Sequence, residues 1–239
     1  MTAAILVYHR IGADLMRDVH DLPWSRFHTQ LQALAKLGAR LDAGPMLRLP
    51  DGRGLILSFD DATADHPAVA DALETRGWRG LFLVPAGRLG EAGRMRAADI
   101  RDLARRGHAI GAHGMTHRRF DHLSEPDLDA ELGDAAAMLS DLTGDAVAWL
   151  APPGGVCPPA LVERAARHGY GMVRTVRWGY AAEPLHGLLP GLPVLSRTAT
   201  ATVVARARGR APIWPGHMKD WLKGRVGETG WDAVRRWAR

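Results

Sequence analysis

The sequence predicts an α/β protein whose parallel strands close into a barrel with helices on the outside. Short apolar segments typical of buried strands alternate with amphipathic helical segments along the chain, and this alternation indicates a parallel sheet. Roughly seven strand–helix units favour closure into a barrel over an open sheet. Polar residues also follow several of the strands, and reactive groups in such barrels lie at the carboxyl ends of the strands.

The first half of the chain carries three predicted strands and two predicted helices. The first helix has Ser25 as its expected cap and presents Phe27, Leu31 and Leu34 on one face. A loop rich in glycine and proline follows it. The strands of this half are predicted at 5–8, 55–58 and 81–84, and the helices at about 25–37 and 66–76.

The second half continues the alternation. Ser124 and Asp127 form a capping pair in front of a long amphipathic helix. A Pro-Pro-Gly-Gly turn follows the strand that comes after this helix. The strands of this half are predicted at 108–112, 146–150, 171–174 and 192–195, and the helices up to Gly107, from 125 to about 142 and at 161–168.

Composition is that of an ordinary globular protein, with 46% hydrophobic and 24% charged residues in 239. One cysteine, Cys157, leaves no internal disulfide and no zinc site built from thiolates. The amino terminus has no basic leader, and its apolar run at 3–7 is too short for a signal peptide or a membrane span. These features predict a cytoplasmic protein.

Charge is concentrated at the carboxyl terminus. Residues 201–239 contain nine Lys and Arg against three Asp and Glu, and four Trp are interleaved with them. We therefore divide the chain into a barrel at 1–200 and a basic helical extension at 201–239. Such helices either lie on an anionic membrane surface or pack their Trp onto the barrel. No nucleic-acid-binding motif is found, so a nucleic-acid partner is not expected.

Two adjacent carboxylates, Asp60 and Asp61, follow the predicted strand at 55–58. Because like charges repel, two ionised neighbours need a counter-charge, which a metal ion commonly provides. Alternatively, one of them caps the following helix. The segment by itself leaves both interpretations open.

His113 and His117 are four residues apart after the strand at 108–112, a spacing that projects both rings to one side of a helical turn. Two imidazoles and a carboxylate make a three-ligand site for zinc or a similar divalent ion. Gly114 stands where zinc proteases of the His-Glu-x-x-His type carry their glutamate base. A hydrolytic site here needs another base, and the Asp60-Asp61 pair can supply one.

Three motifs in this order resemble those of the polysaccharide deacetylases, the NodB-homology enzymes of carbohydrate esterase family four. They are Ser-Phe-Asp-Asp at 58–61, His-Gly-Met-Thr-His at 113–117 and Ala-Pro-Pro-Gly-Gly at 151–155. The segments at 107–112 and at 8–11 are also similar to the family. The resemblance covers about 1–175, and the order and spacing are more specific than any single motif.

The resemblance implies a distorted (β/α)7 barrel and metal-dependent removal of an acyl group from an amide on a sugar. Carried over by position, Asp60 is the general base, and Asp61, His113 and His117 hold the metal. The expected metal is zinc, with cobalt, nickel or manganese as alternatives. The turn at Pro153 and Gly154 is expected to contact the substrate and to stabilise the oxyanion through a backbone N–H.

The sequence departs from the family pattern at three points. Ala62 replaces the glycine that usually follows the aspartate pair, and Ala151 replaces the arginine that orients the base. No late motif carries the histidine that acts as general acid, so His9 is the candidate for that role, ahead of His186 and His217. Among the other histidines, His108 is interpreted as a core residue, and solvent-facing positions are expected for His20, His28, His66, His122 and His168.

With these departures, the resemblance still implies a metal-dependent hydrolase that removes an N-acetyl group from an amino sugar. Its expected substrate is a polysaccharide, an oligosaccharide or a lipid-linked glycan precursor, and the basic extension suits contact with the inner membrane face. One alternative keeps the site but makes the enzyme a deformylase or amidase on a lipid-linked sugar. Another is a carbohydrate-binding barrel with impaired catalysis, suggested by Ala151 and the absent acid.

Overall fold

The computed structural model describes residues 1–12 and 18–211, and the strands among these residues form one sheet against which the helices pack. The strands are β1 (Thr2–Tyr8), β2 (Arg40–Ala43), β3 (Met46–Arg48), β4 (Gly54–Asp60), β5 (Leu81–Val84), β6 (Ala109–Ala112), β7 (Trp149–Leu150), β8 (Met172–Arg174), β9 (Ala181–Ala182), β10 (Gly187–Leu189) and β11 (Leu192–Pro193). The helices are α1 (Trp24–Ala35), α2 (His66–Glu74), α3 (Ala97–Arg105), α4 (Glu125–Thr143), α5 (Leu161–Arg167) and α6 (Thr200–Ala207).

The main path of the sheet is parallel throughout. Its order is β10-β8-β7-β6-β5-β4-β1-β11, and each neighbouring pair on this path is parallel. From β4 to β8 the strands follow chain order, and a helix connects each strand to the next. The predicted α/β fold with a parallel, barrel-like sheet is therefore confirmed, and the carboxyl ends of these strands meet at one edge.

Two local predictions were wrong. The glycine- and proline-rich loop after α1 contains the hairpin β2–β3, whose second strand adds antiparallel to β4. β2 reads Arg-Leu-Asp-Ala, which does alternate polar and apolar residues, but all four residues are exposed. A run of four is also the shortest on which alternation indicates a half-buried strand. Ser25 does not cap α1: Pro23 occupies the N-cap position, and Ser25 lies in the first turn.

Strand side chains alternate between two apolar layers. On β4, Leu57 and Phe59 belong to the large cluster that also contains side chains of the surrounding helices, while Ile56 belongs to a smaller cluster inside the sheet. Because side chains on a strand alternate with a period of two, Asp60 points to the same inner face as Ile56. By the same rule, Arg174 points inward with Met172, which packs against the inner cluster.

The carboxyl-terminal part of the description is α6, which packs against α1 and β1. Arg206 of this helix is buried and lies over the ring of Trp178, with 4.6 Å between guanidinium and ring centre. Residues 212–239, on which most of the predicted basic extension falls, lie outside the described residues. Among the described helices, none combines the length and the apolar character needed to cross a membrane.

Candidate active site

Polar side chains from four strands meet at the carboxyl edge of the sheet. His9 follows β1, Asp60 ends β4, His113 follows β6 and Arg174 ends β8. Since the four strands are parallel, their ends lie on the same side of the barrel. The structure thus brings together the segments that the sequence separates by more than 160 positions.

Asp61, His113 and His117 form a compact group of potential metal ligands. One ligand atom from each lies within 4.8 Å of the others. The Nε2 atoms of His117 and His113 are 2.9 and 3.5 Å from Oδ1 of Asp61. Burial alone would raise the pKa of Asp61, but the two neighbouring rings hold it well below its usual range. A carboxylate and two imidazole nitrogens this close together are a donor set that suits zinc and similar ions.

The orientation of His113 also suits a metal ligand. Its Nδ1 is 2.7 Å from the carbonyl oxygen of Ala151, and because a carbonyl can only accept, this nitrogen carries the proton. Nε2, which faces Asp61 at 3.5 Å, is then the ring nitrogen available to a metal. Metal-ligating histidines are commonly fixed in this way by a backbone carbonyl. The residues present therefore fit a divalent ion.

Backbone conformation at the group is unusual. Asp61 has a φ of 77°, the following Ala62 a φ of 50° and His117 a φ of 65°. Residues with a Cβ atom rarely adopt this left-handed region and remain there only where the surroundings hold them. The φ of Ala62 gives a physical reason for the glycine that the family usually has at this position.

Asp60 is paired with a residue that the sequence analysis did not single out. Nη2 of Arg174 lies 2.5 Å from each carboxylate oxygen of Asp60, and both side chains are almost fully buried. Burial would raise the pKa of Asp60, but the Arg174 guanidinium, followed by His113, keeps it below its usual value. Ala151 cannot orient Asp60, and the guanidinium beside this carboxylate comes instead from Arg174 at the end of β8.

Small residues lie in the barrel interior, and one of them, Gly191, lies directly against Arg174. Ala151 is fully buried in the inner cluster, and its methyl group occupies little of the barrel interior. At Gly191, a Cβ atom would lie 3.1 Å from Cδ of Arg174 and 2.4 Å from the carbonyl oxygen of Thr175, so only glycine fits beside the arginine. Asp60 was recognised from the sequence as a charged residue at the end of a buried strand. Arg174 shows the same signal and could have been recognised in the same way.

His9 lies on the other side of Asp60, with 3.9 Å between its Nε2 and Oδ2 of the carboxylate. Burial lowers the pKa of His9 to about 4, although Asp60 partly opposes the shift, so the ring is neutral at pH 7. Its backbone is fixed by His66, whose Nε2–H donates to the His9 carbonyl over 3.0 Å. His66 is fully buried, and the expectation that it faces solvent was wrong.

The remaining predicted residues lie as follows. Pro153 and Gly154 form a short turn after β7, where Pro153 is buried and Gly154 is exposed with a φ of 70°. Their contact with a substrate stays a prediction. His186 precedes β10, close to Gly171 at the amino end of β8, which is the end opposite to the site. His217 lies outside the described residues. His108 is a buried residue bonded to Gly80 and Glu74, as predicted.

An inward-facing carboxylate–arginine pair beside an Asp-His-His group, at the carboxyl edge of a parallel barrel, defines a hydrolase-type site. A family model described as polysaccharide deacetylase matches residues 49–173, which is more than half of the chain. The protein therefore belongs to the polysaccharide deacetylase family, a family of hydrolases that act on amide bonds. A search of curated proteins returned no match.

Solved structures share this fold at low sequence identity. A Streptococcus pyogenes deacetylase in complex with acetate is 19% identical, with a TM-score of 0.76, over 87% of this chain and 98% of that one. A Bacillus cereus polysaccharide deacetylase is 16% identical, with a TM-score of 0.74, over 85% and 69%. A de-N-acetylase from Aggregatibacter actinomycetemcomitans is 11% identical, with a TM-score of 0.73, over 86% and 100%.

Proposed function

We propose that this protein removes the N-acetyl group from an amino sugar in a polysaccharide, an oligosaccharide or a lipid-linked glycan precursor. The observation that carries the proposal is the buried Asp60–Arg174 pair directly beside the Asp61–His113–His117 group. Membership of the deacetylase family supports it, as do the fold neighbours described as a de-N-acetylase and as a deacetylase in complex with acetate.

The metal-binding part of the proposal assigns three ligands. Asp61, His113 and His117 would hold a divalent ion, and zinc suits two imidazoles and a carboxylate best, with cobalt, nickel and manganese as alternatives. When bound there, the ion supplies Lewis acidity, which polarises a carbonyl oxygen and lowers the pKa of water. The chain's other residues then provide proton transfer and orientation.

Asp60 is the proposed general base. It takes a proton from the attacking water while the water oxygen forms a bond to the amide carbon, and Arg174 keeps its carboxylate ionised and oriented. A backbone N–H near Gly154 donates to the carbonyl oxygen as negative charge develops there.

His9 is the proposed acid. Because it is neutral at pH 7, it first accepts the proton held by Asp60, 3.9 Å away. It then delivers this proton to the sugar nitrogen as the carbon–nitrogen bond breaks, so that acetate and a free amine leave. The proton removed from water thus ends on the leaving amine, and the ionised Asp60 is restored.

The experiment is a screen for released acetate and formate. Metal-reconstituted protein is incubated with N-acetyl and N-formyl amino sugars as free oligosaccharides and as lipid-linked forms. Acetate release that is lost in Asp60→Asn, with metal content unchanged, supports the proposal. The matched control is Asp42→Asn, on the exposed strand β2, which retains turnover. Release of formate alone identifies a deformylase, and metal binding with neither product identifies an impaired binding protein.

Location at the inner membrane face is a separate part of this proposal. It rests on the charge and tryptophan content of residues 201–239. Deleting residues 212–239 removes all four Trp and six of the nine Lys and Arg, and it leaves α6 in place. We expect the deletion to abolish association with vesicles that contain anionic lipid, and unchanged association would remove this part of the proposal.

A further inference from the structure

The loop that carries both histidines of the metal group is held from two sides. It leaves β6 at His113 and includes Gly114, with a φ of 74°, and His117, with a φ of 65°. On one side, the carbonyl oxygens of Gly114 and Met115 accept from the backbone N–H groups of Ala86 and Gly87, at 3.1 and 2.9 Å. These bonds satisfy the two carbonyl oxygens of the loop, and its N–H groups need a different acceptor.

That acceptor is Glu131 on α4. One carboxylate oxygen, Oε2, accepts from the N–H groups of Met115 and Thr116, at 2.7 and 2.9 Å. The other, Oε1, accepts from the hydroxyl of Thr116 and lies 3.6 Å from Nε of Arg118. One side chain thus receives three hydrogen bonds from two consecutive residues between the histidines.

The position of Glu131 is unusual for a carboxylate. It is 2% exposed and shares the buried face of α4 with Leu128, Leu132 and Ala135. A charge in such surroundings is tolerated only when it is fully paired by hydrogen bonds. The amphipathic pattern of α4 alone would place an apolar residue at this position. The hydrogen bonds from the loop explain why a glutamate stands there instead.

Gly114 allows the carboxylate to approach. A Cβ atom at this position would lie 2.9 Å from Oε2 of Glu131 and 3.1 Å from Cε1 of Phe120. The loop backbone therefore lies directly against the helix, and the carboxylate fills the remaining gap.

We infer that Glu131 is a positioning residue that sets the geometry of His113 and His117 and thereby the affinity of the site for a divalent ion. The inference rests on the metal site of the proposed function. Left-handed backbone at His117 is unfavourable for a residue with a Cβ atom and persists only where the surroundings hold it. Without the carboxylate, two N–H groups lose their acceptor and the loop relaxes, which separates the two imidazole nitrogens.

The test measures the dissociation constant for Zn²⁺ by competition with a chromophoric chelator. We expect Glu131→Ala to weaken binding roughly 10-fold to 100-fold, as loss of outer-shell partners commonly does. Glu131→Gln, whose amide oxygen can still accept both N–H bonds, should recover most of the affinity. The matched control is Glu74→Ala, which removes a carboxylate that accepts from Arg106 and His108 away from the site and should leave the affinity unchanged.

Thr116→Val keeps the experiment decisive if Glu131→Ala does not fold. It removes one donor to Glu131 at an exposed position and should weaken Zn²⁺ binding in the same direction by a smaller factor. Wild-type affinity in the folded Glu131→Ala protein, or in Thr116→Val where Glu131→Ala does not fold, overturns this inference alone. Absence of Zn²⁺ binding in the wild type overturns the proposed metal site and this inference with it.

Discussion

Replacing Arg174 by alanine tests the proposed role of the Asp60–Arg174 pair. The substitution leaves Asp60, which is 2% exposed, buried without its counter-charge. Removing one partner of a buried ion pair costs about 3–5 kcal/mol of stability, part of which is recovered when the carboxylate becomes protonated. The pKa of Asp60 therefore rises, and the proposed base is protonated up to a higher pH.

The expected kinetic effect follows from the loss of an ionised, oriented base. General acid–base catalysis contributes about 10²–10⁴ in rate, so kcat/KM of Arg174→Ala should fall by a factor in this range while bound metal is retained. The pH below which kcat/KM declines should move to a higher value. Both are measured on metal-reconstituted protein with the substrate that the acetate screen identifies.

A relocated arginine provides the sharper comparison. Ala151 also points into the barrel interior, so Ala151→Arg combined with Arg174→Ala places a guanidinium in the space that Arg174 leaves. We expect this double variant to recover part of the activity and to move the pH profile back. Arg206→Ala, which removes another buried arginine, should lower stability without changing the profile. Wild-type kcat/KM and pH profile in Arg174→Ala would refute the reasoning.

The other predictions concern metal content and pH. His113→Ala should lose the roughly one divalent ion per chain that a three-ligand site binds, whereas exposed His122→Ala should keep it; metal analysis that finds none in the wild type contradicts the site. Removing the metal with a chelator should abolish acetate release, and added Zn²⁺ should restore it. Because burial lowers the pKa of His9 from 6.5 to about 4, the unfolded chain binds this proton more readily, so stability falls as the pH drops through that interval. In metal-free protein, the unfolding free energy of the wild type should fall by about 3 kcal/mol more than that of His9→Gln between these pH values. An identical pH dependence of the two proteins in urea unfolding would argue against a lowered pKa of His9.

Local signals in the sequence predicted most of the fold. Alternating apolar segments, the Ser124 cap and helix-ending glycines such as Gly144 act within a few residues, so they can be recognised without a structure. The hairpin β2–β3 was not predicted because its strands are stabilised by pairing with each other and with β4. The burial of His66 was not predicted because its ring bonds to the carbonyl of His9, which is 57 positions away.

The sequence by itself predicted that the Asp60-Asp61 pair would lie close to His113 and His117, and the family resemblance then selected Asp61 as the ligand. Each follows a strand, and parallel strands must bring their carboxyl ends to one edge, so the motifs could be joined before any coordinates were known. Only the tertiary structure decided what supports them. The Asp60–Arg174 pair spans 114 positions and depends on which inward-facing side chains can reach one another across the barrel. Glu131 reaches the histidine loop because α4 packs beside β6. Contacts of this kind are set by packing distance, which no local pattern of residues encodes.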